Sequence, residues 1–386
     1  MMNGSMLRQA VMIALAGLAF NASAQTSGSE QTAKPEATSG SVPASKLKLA
    51  YTSNRVWNAV TVADDGRVFA SFPYWGGGSD QGPTVTELAP DGKPTAYPDT
   101  AWNSWKAGGD AAHTFVRVNA IRIGPEGHMW VVDAGEATLS PDKDIPASAA
   151  KGKLVEIDMA TNKVVRTIDM GPGSAARTYI DDIRFAGDYA FLTDAGDPGL
   201  VVLNLKTGEQ RRVLEHTEST TDRRPMYAEG KMLMSEGKQV RIHADQLEVS
   251  PDQQWLYYQA SSGPLYRVSI AALEDKSLGA KQLNAKVKLF YDTPTTGGTV
   301  IDGDGNVYVS DVNKLQIIKL TPEGKKSVFL DDKRLVWADA MWIDKRGTLW
   351  IPAVQLNRTP NFQGGVSKVK YPVAIYSVDL GLKPAR

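Results

Sequence analysis

The chain repeats one pattern of hydrophobic and polar positions six times. Each copy starts at a small or polar residue, alternates apolar and polar residues, passes through a turn rich in Gly or Asp, and ends in a β-rich apolar run. The six copies span residues 58–71, 119–135, 181–196, 245–260, 297–311 and 339–353. Alternation at a period of two is typical of a half-buried strand, and two such runs around a turn predict a β-hairpin. We therefore expect six hairpins.

A second pair of strands is predicted after most of the hairpins. The predicted third strands include KLVEIDM, GLVVLNL and LQIIKLT, and the predicted fourth strands are VVRTIDM, QRRVLEH, VKLFYDT and KSVFLDD. Gly, Pro and Asp interrupt the chain roughly every 8 to 12 residues, a spacing typical of all-β proteins. Four strands repeated six times predict an all-β fold, a six-bladed β-propeller. A β-sandwich and a seven-bladed ring are the alternatives.

The two ends of the chain are predicted to share the last blade. The sixth copy is followed by a third strand at residues 373–380, after which too little chain remains for a fourth strand. Residues 46–51, KLKLAY, lie before the first hairpin, in the place where fourth strands lie in the other repeats. We expect this segment to pair with the last blade and so remove an open edge that would template aggregation.

The start of the chain is predicted to lie outside the fold. Arg8 precedes an apolar run at residues 10–20, which is shorter than the about 20 residues needed to cross a bilayer. Small residues at 22–24 complete the pattern of a signal peptide, with an uncleaved anchor as the alternative. Small and polar residues follow, with too few large apolar side chains to offset the entropy of ordering. The predicted organisation is a signal peptide at 1–24, a flexible leader at 25–45 and the propeller at 46–386, in a secreted or periplasmic protein.

Composition and charge limit the possible partners. The chain has 43 basic and 43 acidic residues, so it has no global positive field to hold nucleic acid or an anionic membrane. It has no Cys, which excludes disulfides, thiolate metal sites and a Cys nucleophile. The four His show no zinc-peptidase spacing, and no serine-hydrolase elbow or phosphate-binding loop is present. We expect a monomer with a small-molecule ligand and no integral membrane segment in the mature chain.

Polar residues at the starts of the first strands form the main candidate site. The six openings are Asn58, Asn119, Asp181, Asp245, Gly297 and Asp339, while Asp133, Asp194 and Asp311 end second strands. In an antiparallel hairpin these positions lie at the same end, so we expect the eight Asn and Asp side chains to converge on one mouth of the channel. Their oxygens suit Ca²⁺ or Mg²⁺, and equally an ammonium group or sugar hydroxyls. The alternative is a structural role, since Asn and Asp favour turns and strand starts.

Arginines and aromatic residues accompany these openings. The arginines that precede an opening are Arg55, Arg117, Arg177 and Arg241, and they could bind a carboxylate or pair with the Asp residues. The aromatic residues near the mouth are Phe72, Tyr74, Trp75, Trp102, Trp105, Tyr179 and Trp337, and such rings attract cations. Trp337 has the strongest claim because it lies beside Asp339. The predicted ligand-binding set is Asn58, Asn119, Asp181, Asp245, Trp337, Asp339, Arg117 and Arg177, and no catalytic residue is assigned.

Several segments resemble the Yellow / major royal jelly protein family. They are RVNAIRIGPEGHMWVVDAGE, KLVEIDMATNKVVRTIDM, DDIRFAGDYAFLTDAGDPGLVVLNLKTG, DQLEVSPDQQWLYYQASSGPLYRVSIAAL and TAYPDTAWNSW. The similarity runs in order from about residue 56 to residue 380. The resemblance implies a secreted six-bladed propeller whose central channel binds small molecules, with aromatic amines in some members and a proposed dopachrome-converting activity in others. It carries over no catalytic motif.

Two classes of function follow from these patterns, with a third possibility. The first is binding of a small aromatic or amine-bearing molecule in the channel. The second is a metal-dependent hydrolase similar to the gluconolactonase propellers, in which Ca²⁺ or Mg²⁺ on Asn119, Asp181 and Asp339 would polarise a lactone carbonyl. Those enzymes use a Glu from the first blade, where this chain has Asn58. The third, tautomerisation of an aminochrome, needs a base and an oxyanion-stabilising Arg in a dry channel.

Overall fold

Six four-stranded antiparallel sheets make up the fold. A computed structural model describes residues 41–73, 82–136 and 149–385. In the first five sheets, strands that are consecutive in the chain are also neighbours in the sheet, so each sheet is formed by one sequence repeat. This arrangement is a six-bladed β-propeller, and the six predicted hairpins are the two inner strands of its blades.

The strands are numbered along the chain. They are β1 (Lys48–Ser53), β2 (Val60–Val62), β3 (Val68–Ser71), β4 (Val85–Leu88), β5 (Pro94–Ala96), β6 (Val118–Ile123), β7 (Met129–Asp133), β8 (Lys153–Asp158), β9 (Lys163–Asp169), β10 (Ile180–Ala186), β11 (Tyr189–Asp194), β12 (Gly199–Asn204), β13 (Gln210–Val213), β14 (Tyr227–Ala228), β15 (Lys231–Met232), β16 (Met234–Ser235), β17 (Lys238–Gln239), β18 (Ala244–Val249), β19 (Trp255–Ala260), β20 (Leu265–Ser269), β21 (Lys288–Tyr291), β22 (Thr299–Ile301), β23 (Val307–Asp311), β24 (Gln316–Leu320), β25 (Lys326–Asp331), β26 (Trp342–Ile343), β27 (Thr348–Ala353) and β28 (Val373–Asp379). Blades one to five are β2–β5, β6–β9, β10–β13, β18–β21 and β22–β25. The predicted fourth strands are therefore confirmed as β9, β13, β21 and β25.

The first strand of the chain closes the last blade. Blade six has the order β1-β28-β27-β26, and β1 pairs antiparallel with β28 from Lys48 opposite Ser377 to Ser53 opposite Val373. Leu47, just before β1, is 4% exposed and packs in the core beside this blade. The predicted closing segment is confirmed, with its strand beginning two residues later than expected.

The hydrophobic core lies between neighbouring blades. One cluster joins Trp130 and Leu154 of blade two to Ile183 and Leu192 of blade three. Trp130 lies 5.3 Å, between ring centroids, from Phe185 of the next blade. Because each sheet buries both faces against its neighbours, the inner strands are apolar along most of their length. Polar residues at the channel end of these strands therefore need a specific partner.

Blade four carries two insertions that the sequence pattern did not predict. Two small hairpins, β14–β15 and β16–β17, precede it. Two short helices, α1 (Ile270–Glu274) and α2 (Ala280–Asn284), lie between its third and fourth strands. The hydroxyl of Ser269 accepts a hydrogen bond from the backbone N–H of Ala272 and caps α1. Short 3₁₀ turns occur at Ala44–Lys46, Pro125–Gly127, Gly171–Gly173, Leu356–Arg358 and Pro360–Phe362.

The predicted signal peptide and residues 25–40 of the predicted leader lie outside the described residues. Within the described part, Val42 already donates a backbone hydrogen bond of 2.7 Å to the carbonyl of Phe329. Among the described residues, no helix has the length and apolar character needed to cross a bilayer.

Candidate functional site

The openings of the first strands converge on one cavity. Its lining includes five polar residues, which we call the polar ring: Asn58, Asn119, Asp181, Asp245 and Asp339. Asp245 is partly exposed and the other four are buried. The cavity measures about 10 Å³, room for about one water molecule or one bare ion. Five of the eight Asn and Asp residues expected at the mouth are thus brought together.

Hydrogen bonds link the first three members of the polar ring. The Nδ2 of Asn58 donates to the carbonyl of Asn119 at 2.9 Å. The Nδ2 of Asn119 donates in turn to Oδ1 of Asp181 at 2.9 Å. The hydroxyl of Tyr179 donates to the remaining oxygen of Asn119 at 3.2 Å. The openings of blades one to three are therefore held in place by hydrogen bonds to one another.

The other two members are held by groups of their own blades. The hydroxyl of Ser261 donates to Oδ2 of Asp245. Asp339 accepts a bond of 3.0 Å from the indole N–H of Trp337 and one of 2.8 Å from the backbone N–H of Ala340. Each oxygen of Asp339 thus accepts one hydrogen bond, and both Asp245 and Asp339 line the cavity.

Blade five contributes no side chain to the ring, because another part of the chain occupies that space. A Cβ at Gly298 would lie 2.3 Å from the carbonyl carbon of Asp339, and one at Gly297 would lie 2.5 Å from the carbonyl oxygen of Ala338. Both distances are too short for any real contact. The two glycines let blade six approach closely enough for Asp339 to reach the ring.

Burial and mutual repulsion perturb the ring carboxyls. Burial raises the pKa of Asp181 well above its usual value, and the carboxyls of Asp245 and Asp339 raise it further. Burial also raises the pKa of Asp339 well above its usual value, and raises that of Asp245 to about 6. The side-chain contact between Asp181 and Asp245 raises the pKa of Asp181 and lowers that of Asp245. Among the described residues, no Lys, Arg or His forms an ion pair with these three.

Two buried amide oxygens beside the cavity have no hydrogen-bond donor. They are Oδ1 of Asn58 and Oε1 of Gln246, both on residues that line the cavity. The Nε2 of Gln246 is used, since it donates to the carbonyls of Thr296 and Gly297. A buried acceptor left unpaired costs about 1–3 kcal/mol. These oxygens and the ring carboxyls are acceptors that a positively charged or hydrogen-donating group could use.

A layer of paired charges lies directly beneath the polar ring. We call Arg122, Asp182, Arg184 and Glu248 the charged layer. Asp182 accepts from Arg122 at 2.7 Å and 3.1 Å, and from Arg184 at 2.8 Å. Arg184 also forms two bonds to Glu248, at 2.8 Å and 3.0 Å. Burial alone would raise the pKa of Asp182, but the two guanidinium groups hold it below its usual value.

The charged layer was not predicted, although its pattern is present in the sequence. Arg122, Arg184 and Glu248 occupy the same position in three successive repeats, NAIRI, DDIRF and DQLEV. A charged residue inside an otherwise apolar inner strand requires a buried partner. The recurrence of that position in adjacent blades would have indicated that the partners lie across the channel.

Three predicted members of the mouth have structural roles instead. Asp133 accepts from the backbone N–H groups of Val116 and Arg117, both at 2.8 Å, and pairs with Lys153. Asp194 and Asp311 likewise accept backbone N–H groups, and Asp194 is also paired with Arg212. The expectation that these three reach the channel was wrong. Their side chains accept backbone N–H groups of the turns that follow their own strands and, for Asp133 and Asp194, of the segment that leads into the first strand of the blade.

Trp337 contacts the polar ring through Asp339, but it is buried and does not line the cavity. It is 1% exposed, donates its N–H to Asp339, and lies 6.5 Å from the Phe362 ring. It therefore orients a ring carboxylate and offers no open face to a ligand in this structure. Arg117 and Arg177 are half-buried and are not among the residues that line the cavity.

Most of the other arginine and aromatic candidates have packing or pairing roles, and two of them lie outside the described residues. Phe72 packs against Trp57, with 6.1 Å between ring centroids, and the Arg55 guanidinium lies 4.2 Å from its ring. Arg241 pairs with Asp222 at 3.3 Å. Tyr74 and Trp75 lie outside the described residues.

The predicted metal set does not fit a metal ion in this arrangement. Asn119 turns its amide nitrogen toward Asp181, and its oxygen is used by Tyr179. Asn119 and Asp181 therefore do not present two free oxygens to one centre, as Ca²⁺ or Mg²⁺ requires. Within residues 41–73, 82–136 and 149–385, no group of three Asp, Glu or His is placed to hold a metal ion.

The raised carboxyl pKa values predict that the unliganded protein loses stability as pH increases. In the folded chain Asp245 holds its proton up to about pH 6, whereas its ordinary pKa is 3.8. Between these two pH values the folded chain binds a proton at Asp245 that the unfolded chain has released. The free energy of unfolding therefore falls as pH rises through this range, by roughly 2 kcal/mol for this group. Urea unfolding at pH 4.5 and pH 7.5 measures the change. Asp245→Asn should be less sensitive to pH than the wild type, and an equal response in both proteins would contradict the assignment.

Comparisons with known proteins agree with the fold. The sequence model of the major royal jelly protein family matches residues 116–386. A gluconolactonase from Xanthomonas campestris is 13% identical, with a TM-score of 0.52 over 86% of this chain and 89% of its own. A luciferin-regenerating enzyme is 12% identical, with a TM-score of 0.51 over 88% of this chain and 95% of its own. At such identities the likeness shows the propeller fold alone. No curated protein matches the chain significantly in sequence.

Proposed function

The chain belongs to the major royal jelly protein family, and from that premise we propose that it binds a small amine-bearing molecule in its central channel. The ammonium group of the ligand would lie in the cavity of the polar ring. The observation that carries the proposal is the meeting of Asp181, Asp245 and Asp339 around one cavity without a basic partner among the described residues.

The chemistry of the ring matches an ammonium group. A primary ammonium has three N–H donors, and the cavity offers the ring carboxylates together with the unpaired Oδ1 of Asn58. Its positive charge would offset the burial and the like-charge repulsion that now raise the carboxyl pKa values. The cavity of about 10 Å³ admits only the head of the ligand, so the rest of the molecule would extend outward from the ring.

Isothermal titration with tyramine and butylamine at pH 7.5 tests the proposal. We expect saturable binding of one amine per chain, weakened at least tenfold in Asp339→Asn, whose carboxylate faces the cavity. Asp64→Asn is the matched control, because its side chain is 70% exposed and lies away from the ring. Tighter binding of tyramine than of butylamine would assign the ligand as an aromatic amine.

The same titration has a second, independent outcome. Binding of a cation requires the ring to lose protons, so the amine should bind more tightly at pH 7.5 than at pH 5. Equal affinity at both pH values, or equal affinity of Asp339→Asn and the wild type, would show that the polar ring does not bind the amine. Stabilisation by Ca²⁺ with no response to either amine would move the proposal to a metal ion.

Proton transfer is the second candidate function, favoured by the raised pKa values of Asp181 and Asp245, which line the same cavity. With a pKa of about 6, the carboxylate of Asp245 accepts a proton near neutral pH. Asp181 can donate one, so the pair could tautomerise an aminochrome bound at the ring. Arg122 lines the same cavity, although Asp182 holds its guanidinium. The rate of dopachrome decay with wild type and Asp245→Asn distinguishes this candidate, because a binding protein gives no difference.

The location remains a proposal based on residues 1–24. We propose that the protein is secreted or periplasmic. The mass of the chain recovered from the periplasm or medium tests this, with a start at Gln25 expected and an intact N-terminus in the cytoplasm as the contrary result.

A further inference from the structure

A second cavity opens at the opposite end of the channel. It measures about 430 Å³ and lies where the inner strands end, against Ile123, Phe185, Val249, Val300 and Trp342. Strand β10 shows the geometry, because Asp181 near its start lines the ring cavity and Ala186 at its end lines this one. We call this space the lower cavity. Its volume falls within the about 300–1,000 Å³ that is usual for small-molecule sites.

The charged layer separates the two cavities. Arg122 lines both of them, while Arg184 and Glu248 line only the lower cavity. The layer contains two guanidinium groups and two carboxylates that are paired with one another. The hydroxyl of Thr299 donates a further bond of 2.9 Å to Glu248. The floor of the lower cavity is therefore electrically neutral, in contrast to the acidic ring above it.

These features determine the chemistry of an occupant. The walls are mainly apolar side chains, which favour a ligand that removes apolar surface from water. A charged ligand would lose its hydration over a floor whose charges already compensate one another. Arg184 keeps 15% of its side chain exposed, and a guanidinium plane stacks well on an aromatic ring.

We propose that the lower cavity is a second binding site, for a neutral, largely apolar small molecule with a flat ring. It does not depend on the amine site, because its residues lie on the other side of the charged layer. Two ligands of different chemistry can then occupy the channel at once. The pair of sites would make the propeller a carrier for two classes of small molecule.

Two fluorescent probes that differ by one charge test the proposal. N-phenyl-1-naphthylamine is neutral, and 1-anilinonaphthalene-8-sulfonate is the same skeleton with a sulfonate. We expect the neutral probe to bind saturably, one per chain, and at least tenfold more tightly than the sulfonate. Equal affinity for the two probes, or no saturable binding of the neutral one, would overturn the proposal.

Variants locate the bound probe. Val249→Trp should fill the lower cavity and weaken binding of the neutral probe at least tenfold. Val249→Phe adds a smaller side chain and should weaken binding to a lesser degree, and it serves as the test if the Trp variant does not fold. Leu289→Trp is the matched control, because Leu289 belongs to the outer strand of the same blade and is 60% exposed. Unchanged binding in both Val249 variants would place the probe elsewhere and reject the site.

Crossed titrations separate this proposal from the amine site. Asp339→Asn should leave affinity for the neutral probe unchanged, and saturating tyramine should not displace that probe. If tyramine binds nowhere while the neutral probe still responds to Val249→Trp, the amine proposal fails and the lower cavity stands. Displacement of the probe by tyramine would show one shared site and reject two.

Discussion

Asp182→Asn should lower the free energy of unfolding by about 3–5 kcal/mol, whereas the same change at the adjacent Asp181 should leave it unchanged or raise it. Asp182 is the carboxylate between Arg122 and Arg184, and removing its charge leaves the buried guanidinium group of Arg122 without a counter-charge and Arg184 with Glu248 alone. Asp181 is repelled by other carboxyls, so a neutral amide removes an unfavourable interaction. Neighbouring residues of one strand thus have opposite effects.

Urea unfolding of the three proteins at pH 7.5 measures this contrast. The wild type provides the reference, and the Asp181→Asn variant controls for an amide placed in the same strand. Near-equal midpoints for the two variants would show that the charged layer does not stabilise the propeller. The contrast should narrow below pH 4, because the ring carboxyls are then protonated in both folded and unfolded chains.

Deleting residues 1–53 should convert a soluble chain into an aggregating one, while deleting residues 1–41 should not. The longer deletion removes β1 and exposes the edge of β28, whose backbone groups then pair with other chains. It also removes Leu47 from the core and the carbonyl that accepts from Arg334. Light scattering after size-exclusion chromatography compares the two proteins.

A peptide supplied separately provides the control for that deletion. The synthetic segment 46–53 should restore solubility to the longer deletion, because it can add to the open edge as a strand. A peptide with the same composition in scrambled order should not. Equal solubility and stability of the two deleted chains would show that β1 is not needed to close the ring.

The sequence predicts most of the fold because the interactions that form a blade are local. The inner hairpins and the fourth strands β9, β13 and β25 each pair with a segment a few residues away, so alternation and turn residues suffice to locate them. Strand β21 is recognised by its own alternation, although α1 and α2 separate it from its partner β20. Strand β5 escaped prediction because Pro94–Ala96 is three residues long and begins with Pro. The helices α1 and α2 escaped because no other repeat contains a counterpart.

The candidate site is less predictable, because it depends on what each side chain meets across the channel. Asp133 and Asp181 are both acidic residues at strand ends near the same face. Asp133 accepts backbone N–H groups of its own blade, whereas Asp181 contacts a carboxyl of another blade. The role of Trp337 is likewise decided by its contacts, because its indole N–H donates to Asp339 and its ring is buried. Only the packed structure decides between these outcomes.

The pairing of β1 with β28 also determines when, during synthesis and folding, the ring can close. It joins residue 48 to residue 377, so nearly the whole chain must be synthesised before the ring can shut. Contacts between such distant segments form late, after the local hairpins, because the entropy of closing the long intervening loop must first be overcome. Any chain that ends early keeps an open edge and remains distinguishable from the finished protein. We therefore expect chains that end before β28 to be cut by proteases more readily than the full chain, because their strand edges stay unpaired.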